Sequence, residues 1–185
     1  MEALEVLVDD VVEGLLKIDT SKQREKEKFQ AGVGPWGEPA VVRNLVNYIN
    51  TLGRYPQPAE TKRSPDFLIP GCWAVEFKIA RPFGDNGKAA ENWTVNLLHP
   101  YEGNASLIGD CLKLQRLAGP ERKAALVIGY EHSPPQISLD PLLDAFEVVA
   151  TQVAGIQLGP RIEAMRMDLV HPVHQQLRVA AWEVL

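Results

Sequence analysis

Hydrophobic and polar positions follow a helical period in two segments of the chain. Residues 2–19 and 39–52 carry Leu, Val and Ile at helical spacing with polar residues between them, which predicts two amphipathic helices. Gly53 is suited to end the second helix. The charged run 22–28 is compatible with an extension of the first helix, until the glycines and the proline of 32–37 interrupt it.

A different pattern, typical of β-strands, begins after residue 53. Residues 66–69 and 72–80 are rich in strand-forming residues and are joined at Pro70-Gly71, which predicts a hairpin. The remaining predicted elements are a polar loop at 81–103, a helix at 104–117, a buried strand at 124–129, a helix at 141–153 and strands within 156–185. Together these elements indicate an α/β chain.

Composition places the chain among ordinary globular proteins. With 185 residues, 45% hydrophobic and 23% charged, one domain spanning 1–185 is expected. The two cysteines, Cys72 and Cys111, lie in apolar segments and favour buried thiols in a reducing, cytoplasmic setting. No membrane span or secretory leader is apparent. A net charge of −5 argues against bulk electrostatic binding of nucleic acid but allows a local binding groove.

Three charged residues interrupt the apolar hairpin. If the turn lies at Pro70-Gly71, Asp66 is opposite about position 75 and therefore beside Glu76. Side chains alternate along a strand, so Glu76 and Lys78 share one face. Two neighbouring carboxylates repel unless a proton or a cation lies between them, and clustered oxygens suit a hard divalent ion. This pattern predicts a metal-dependent site that cleaves phosphodiester bonds.

The opposite face of the second strand is expected to pack into the core, because Val75, Phe77 and Ile79 alternate with the charged positions. Cys72 and Ala74 would then lie on the face of the charged residues.

The spacing of these residues resembles the PD-(D/E)XK nuclease superfamily: Pro65-Asp66, nine intervening residues, then Glu76-Phe77-Lys78. The resemblance covers roughly 38–130. It implies a restriction-endonuclease-like fold, a mixed sheet flanked by helices in the order helix, three strands, helix, strand. The first of those strands would fall within 53–63. Residues 1–37 would form an N-terminal helical arm, and 131–185 a C-terminal helix and strands.

The resemblance also implies a role for each site residue. Asp66 and Glu76 would bind Mg²⁺ or Mn²⁺ together with the backbone carbonyl of Phe77. Lys78 would position the nucleophilic water. Glu38, just before the second helix, matches the additional acid of many family members, although an acid there also stabilises a helix N-terminus.

Three further residues are candidates for contacting nucleic acid. Lys88 and Asn92 lie on the long loop after the charged strand, where they could reach a groove or simply belong to a flexible loop. Lys113 could contact a phosphate or form a surface pair with Asp110 at helical spacing. His171 and His174 are not expected to bind metal, because a spacing of three in a strand places them on opposite faces.

The sequence therefore predicts a nuclease that hydrolyses DNA with Mg²⁺ or Mn²⁺. Double-strand cutting would need two sites, and the apolar stripe of 2–19 could pair with a second copy in a homodimer. Three alternatives remain open: a nuclease acting on RNA or branched DNA, a catalytically silent domain used for binding or assembly, and a simple ion-pair cluster on a solvated sheet face.

Overall fold

A computed structural model describes residues 2–100 and 106–185. Its elements are α1 (Leu4–Thr20), α2 (Glu38–Leu52), β1 (Ala59–Glu60), β2 (Phe67–Ile69), β3 (Trp73–Ala80), α3 (Val95–Leu98), α4 (Leu107–Arg116), β4 (Arg122–Glu131), α5 (Asp140–Val148), β5 (Ile162–Arg166) and β6 (Gln176–Val184). A π-helical turn, Val149–Val153, continues α5. The predicted helices and strands are confirmed within a few residues, although the start of the helix predicted at 104–117 lies outside the described residues.

The strands form one mixed six-stranded sheet in the order β1-β2-β3-β4-β6-β5. Only the central pair, β3 and β4, is parallel, and the other neighbours are antiparallel. A parallel pair needs a long crossover, which the segment containing α3 and α4 provides. The predicted first strand is present as β1, and it has only two residues because prolines surround it. The α/β class is confirmed.

Helices cover both faces of the sheet. On one face, α2 packs against β3, and α1 packs against α2, β5 and β6; Val75, Phe77 and Ile79 of β3 belong to the core on this side. On the other face, α4 and α5 pack against Ala74 and Ala80. The predicted alternation along β3 is therefore confirmed for the core-facing set, whereas Cys72, in the turn, packs with the α1 side. All eight residues of β3 are buried, so the interpretation of its charges as an ion-pair cluster on a solvated face is wrong.

Helix α1 belongs to the core rather than to a separate arm. Its apolar stripe, which includes Leu7, Val11 and Leu15, is fully buried within the chain. The surface that suggested pairing with a second copy is thus covered by the protein's own α2 and sheet.

The predicted helical extension over 22–28 is wrong, because α1 ends at Thr20. The charged run has no apolar stripe to bury, so nothing favours a further helical turn. Asp19, near the end of α1, fixes the segment that follows the helix. Its two carboxylate oxygens accept hydrogen bonds from the backbone N–H groups of Val33 at 3.0 Å and Val170 at 2.8 Å. Within the described residues, no helix is long and apolar enough to cross a membrane.

Candidate active site

The hairpin register brings the two predicted acidic residues level with each other. Phe67 pairs with Val75, so the next position places Asp66 opposite Glu76, one residue beyond the pairing predicted from the turn. The Asp66 carboxylate also crosses the hairpin, because its Oδ2 accepts the Phe77 N–H at 2.9 Å. The carboxylate is therefore fixed by the backbone of the neighbouring strand.

Glu76 is almost fully buried, with 3% of its surface exposed. Its Oε1 atom has no hydrogen-bond partner among the described residues, although Ser64 and Asp66 lie close enough to the carboxyl group to influence its pKa by hydrogen bonding. Burial, and then the negative charge of Asp66, raise the pKa of Glu76 to about 8. At neutral pH the pair therefore favours a proton or another cation between its oxygens.

Lys78 lies two residues further along β3 and makes three polar contacts. Its Nζ donates to the Phe77 carbonyl at 2.9 Å, and it lies 2.7 Å from Asp110 Oδ2. Glu38 Oε1 is at 3.4 Å. Burial by itself lowers the pKa of Lys78, but the two carboxylates outweigh burial and raise it above its usual value. Since an ammonium group has three N–H donors, these contacts can engage all of them.

Two acids from different helices complete the environment of Lys78. Glu38 opens α2, and burial raises its pKa, although the Lys78 charge opposes this effect. Asp110, in the first turn of α4, has a side chain only 6% exposed and also lies 2.6 Å from Lys113. Sequence reasoning placed Asp110 only in a surface pair with Lys113. The pair is present, but Asp110 is buried and belongs to the site.

These residues are part of the lining of an open cleft of about 630 Å³. Of the three residues predicted to contact nucleic acid, Lys113 lines this cleft. Lys88 and Asn92 are exposed on the loop after β3 and are not part of its lining. The structure therefore brings together the predicted catalytic residues and one of the predicted contact residues.

The predicted metal ligands are two carboxylates and one carbonyl. No group of three or more His, Cys, Asp or Glu side chains in the described parts of the chain could hold a metal ion. The predicted set has only two such side chains. One feature of it suits a hard cation: the Oε1 of Glu76 is a carboxylate oxygen without a hydrogen-bond partner among the described residues, so it could bind the ion. The Phe77 carbonyl already accepts a hydrogen bond from Lys78, so it would need its second lone pair for a metal.

His171 and His174 form a second buried polar cluster. Their rings stack with centroids 4.5 Å apart, so the prediction that they lie on opposite faces is wrong. The segment around Pro172 is a bend and not a strand, which removes the basis of that prediction. Nε2 of His171 lies 2.9 Å from Asp85 Oδ1, and Nε2 of His174 lies 2.9 Å from the Phe83 carbonyl. The two rings therefore join loops that lie far apart in the chain.

Comparisons with protein-family models, with curated proteins and with solved structures found no match. What the fold and the site define is a class: an α/β protein with a mixed six-stranded sheet flanked by helices, and a buried acid–lysine cluster at the edge of a cleft.

Proposed function

We propose that this chain is a metal-dependent nuclease of the PD-(D/E)XK type that hydrolyses phosphodiester bonds in DNA. Apart from the four-residue α3 between β3 and α4, the order α2, β1, β2, β3, α4, β4 agrees with the order of elements implied by the motif. The observation that carries the proposal is the buried Glu76 Oε1, which has no partner among the described residues and lies beside a second carboxylate at a cleft. A buried acceptor without a partner is costly unless a ligand satisfies it.

In this proposal Asp66, Glu76 and the Phe77 carbonyl hold Mg²⁺ or Mn²⁺. When bound, the ion would polarise a phosphoryl oxygen and lower the pKa of a water molecule. To direct an N–H donor to the attacking water, Lys78 would have to release one of its three contacts, of which the 3.4 Å contact with Glu38 is the longest. Its charge would offset the negative charge that develops on the phosphoryl oxygens. Glu38 and Asp110 hold the Lys78 ammonium in position, because both carboxylates contact its Nζ.

One observation favours a second candidate, a catalytically silent domain used for binding or assembly. The three contacts of Lys78 engage its donors within the protein, so the cluster is compatible with a closed ion network. A silent domain would keep this network and bind no metal.

Metal binding and cleavage together distinguish the two candidates. We expect calorimetric titration with Mn²⁺ to show one site in the wild type and a large loss of affinity in Glu76→Gln. Plasmid DNA, RNA and branched DNA would be incubated with Mg²⁺ and the wild type, Lys78→Ala or the control Lys17→Ala, which changes an exposed lysine on α1. The nuclease proposal requires DNA cleavage that Lys78→Ala abolishes and Lys17→Ala retains. Equal cleavage by all three proteins would indicate contamination, and no Mn²⁺ binding would favour the silent domain.

A further inference from the structure

The loop between β1 and β2 carries two neighbouring cations, Lys62 and Arg63, on the wall of the cleft. Thr61 braces this loop. Its backbone N–H donates to the Asp66 carbonyl at 3.2 Å, and its hydroxyl donates to the Arg63 carbonyl at 2.8 Å. Because the brace ends at Asp66, the loop has a fixed relation to the acidic pair.

The other cations of the cleft wall have partners, and so does Glu60, the acid that precedes this loop. Lys78 and Lys113 both contact Asp110, and Glu60 lies 3.5 Å from Arg43. Lys62 and Arg63 are exposed, and neither side chain forms an ion pair with any described residue. In a chain of net charge −5, these two cations make the loop itself a local positive region, although the rest of the cleft wall is rich in acids. Such a region matches a ligand that brings several negative charges to the cleft.

We propose that Lys62 and Arg63 form a phosphate-binding rim that holds the sugar–phosphate backbone beside the bond to be cut. The inference rests on the proposed nuclease function and specifies its substrate as a polynucleotide. Asp66 is the third residue after Arg63, which limits the distance between their backbones to about 11 Å. Successive phosphates of one strand are about 3.4 Å apart along a duplex axis, so the rim reaches phosphates within about three positions of the scissile one.

The size of the expected effect follows from counterion release. Each phosphate neutralised contributes about −0.9 to the slope of log K against log salt concentration for duplex DNA, and about −0.7 for a single strand. Replacing both cations by glutamine is therefore expected to reduce the slope by about 1.8 on a duplex and about 1.4 on a single strand. If the wild type and the double variant have equal affinity for duplex DNA at 1 M salt, the variant binds about 60-fold more weakly at 0.1 M salt.

The test is fluorescence anisotropy with labelled duplex DNA, single-stranded DNA and RNA, in Ca²⁺ so that binding is measured separately from cleavage. The matched control is Lys17→Gln with Arg166→Gln, which removes the same charge. Arg166 lies on β5, at the edge of the sheet opposite β1, about 24 Å away at the usual strand spacing. Turnover of bis(p-nitrophenyl) phosphate, a small diester with no neighbouring phosphates, is measured in parallel.

We expect the rim variant, Lys62→Gln with Arg63→Gln, to bind polynucleotides more weakly and with a smaller salt dependence, while it still turns over the small diester. The control variant should keep the wild-type affinity, salt dependence and turnover. The three polynucleotides then show which backbone the rim prefers. An unchanged slope in the rim variant, with the wild type still binding and cutting, overturns the rim and leaves the nuclease intact. Absence of turnover on every substrate, with normal binding, contradicts the nuclease alone.

Discussion

Replacing Glu76 by glutamine tests the electrostatics of the site without removing volume. Glutamine has nearly the same shape as a protonated glutamate, and it cannot ionise. Since burial and Asp66 raise the pKa of Glu76 to about 8, the folded protein without metal holds a proton on this group at neutral pH. The unfolded chain has released that proton above its ordinary pKa of 4.5. The stabilising effect of that difference is complete below 4.5 and is lost as pH rises towards 8.

The magnitude follows from the two pKa values. One pKa unit corresponds to 1.36 kcal/mol, so the shift from 4.5 to about 8 corresponds to at most about 5 kcal/mol of lost stability near pH 8. Glu76→Gln does not lose this stability as pH rises, because glutamine has no proton to release. We therefore expect the variant to match the wild type near pH 4.5 and to be more stable than the wild type at pH 8 in the absence of metal.

Urea unfolding in EDTA, from pH 4.5 to 8.5, gives the difference in unfolding free energy between the variant and the wild type. Glu91→Gln, at an exposed glutamate outside the cleft, is the control and should show a difference of less than about 0.5 kcal/mol. Addition of Mn²⁺ should then stabilise the wild type but not Glu76→Gln. A variant less stable than the wild type at pH 8, or a difference independent of pH, would refute the buried-pair reasoning.

Three other substitutions, one in the site and two elsewhere in the fold, are each tested by urea unfolding. Lys78→Ala should lower the unfolding free energy by about 3 kcal/mol, because the buried Asp110 keeps only the more exposed Lys113 and the half-buried Glu38 loses its cation. An unchanged value would mean that the ion network is not formed. Gly34→Ala should cost about 1–3 kcal/mol, since a Cβ there would lie 2.4 Å from the ring of His174. The control Gly159→Ala meets nothing nearer than 3.4 Å and should be close to neutral. Asp19→Ala should cost about 2 kcal/mol, because one buried and one partly buried N–H group lose their acceptor. A loss below about 1 kcal/mol would show that water replaces the carboxylate.

Local pattern was sufficient for most of the fold. Helical spacing predicted α1 and α2, and the turn at Pro70-Gly71 predicted the hairpin with its register wrong by one residue. Sequence could not show what covers an apolar stripe. The stripe of α1 has the same pattern whether it packs on its own sheet or on a second copy, and only the tertiary arrangement decides between them.

The site was partly accessible from sequence for a similar reason. Asp66 and Glu76 were brought together because a hairpin relates them locally. Asp110 reaches Lys78 only through the packing of α4 on β3, a long-range contact that helical spacing does not reveal. Spacing did find the Lys113 partner of Asp110, since residues three apart share a helix face.

The two backbone hydrogen bonds that Asp19 accepts limit how this chain can be shortened. One carboxylate ties the end of α1 to positions 33 and 170, while β6 pairs along nearly its whole length with β4. A fragment limited to 38–130 would keep α2 but lose α1, which packs on α2, and β6, the strand next to β4, so we expect it not to fold. Grafting this acid–lysine cluster onto another scaffold would therefore require almost the entire polypeptide, and tolerated insertions should instead be sought in the exposed charged segment 22–28.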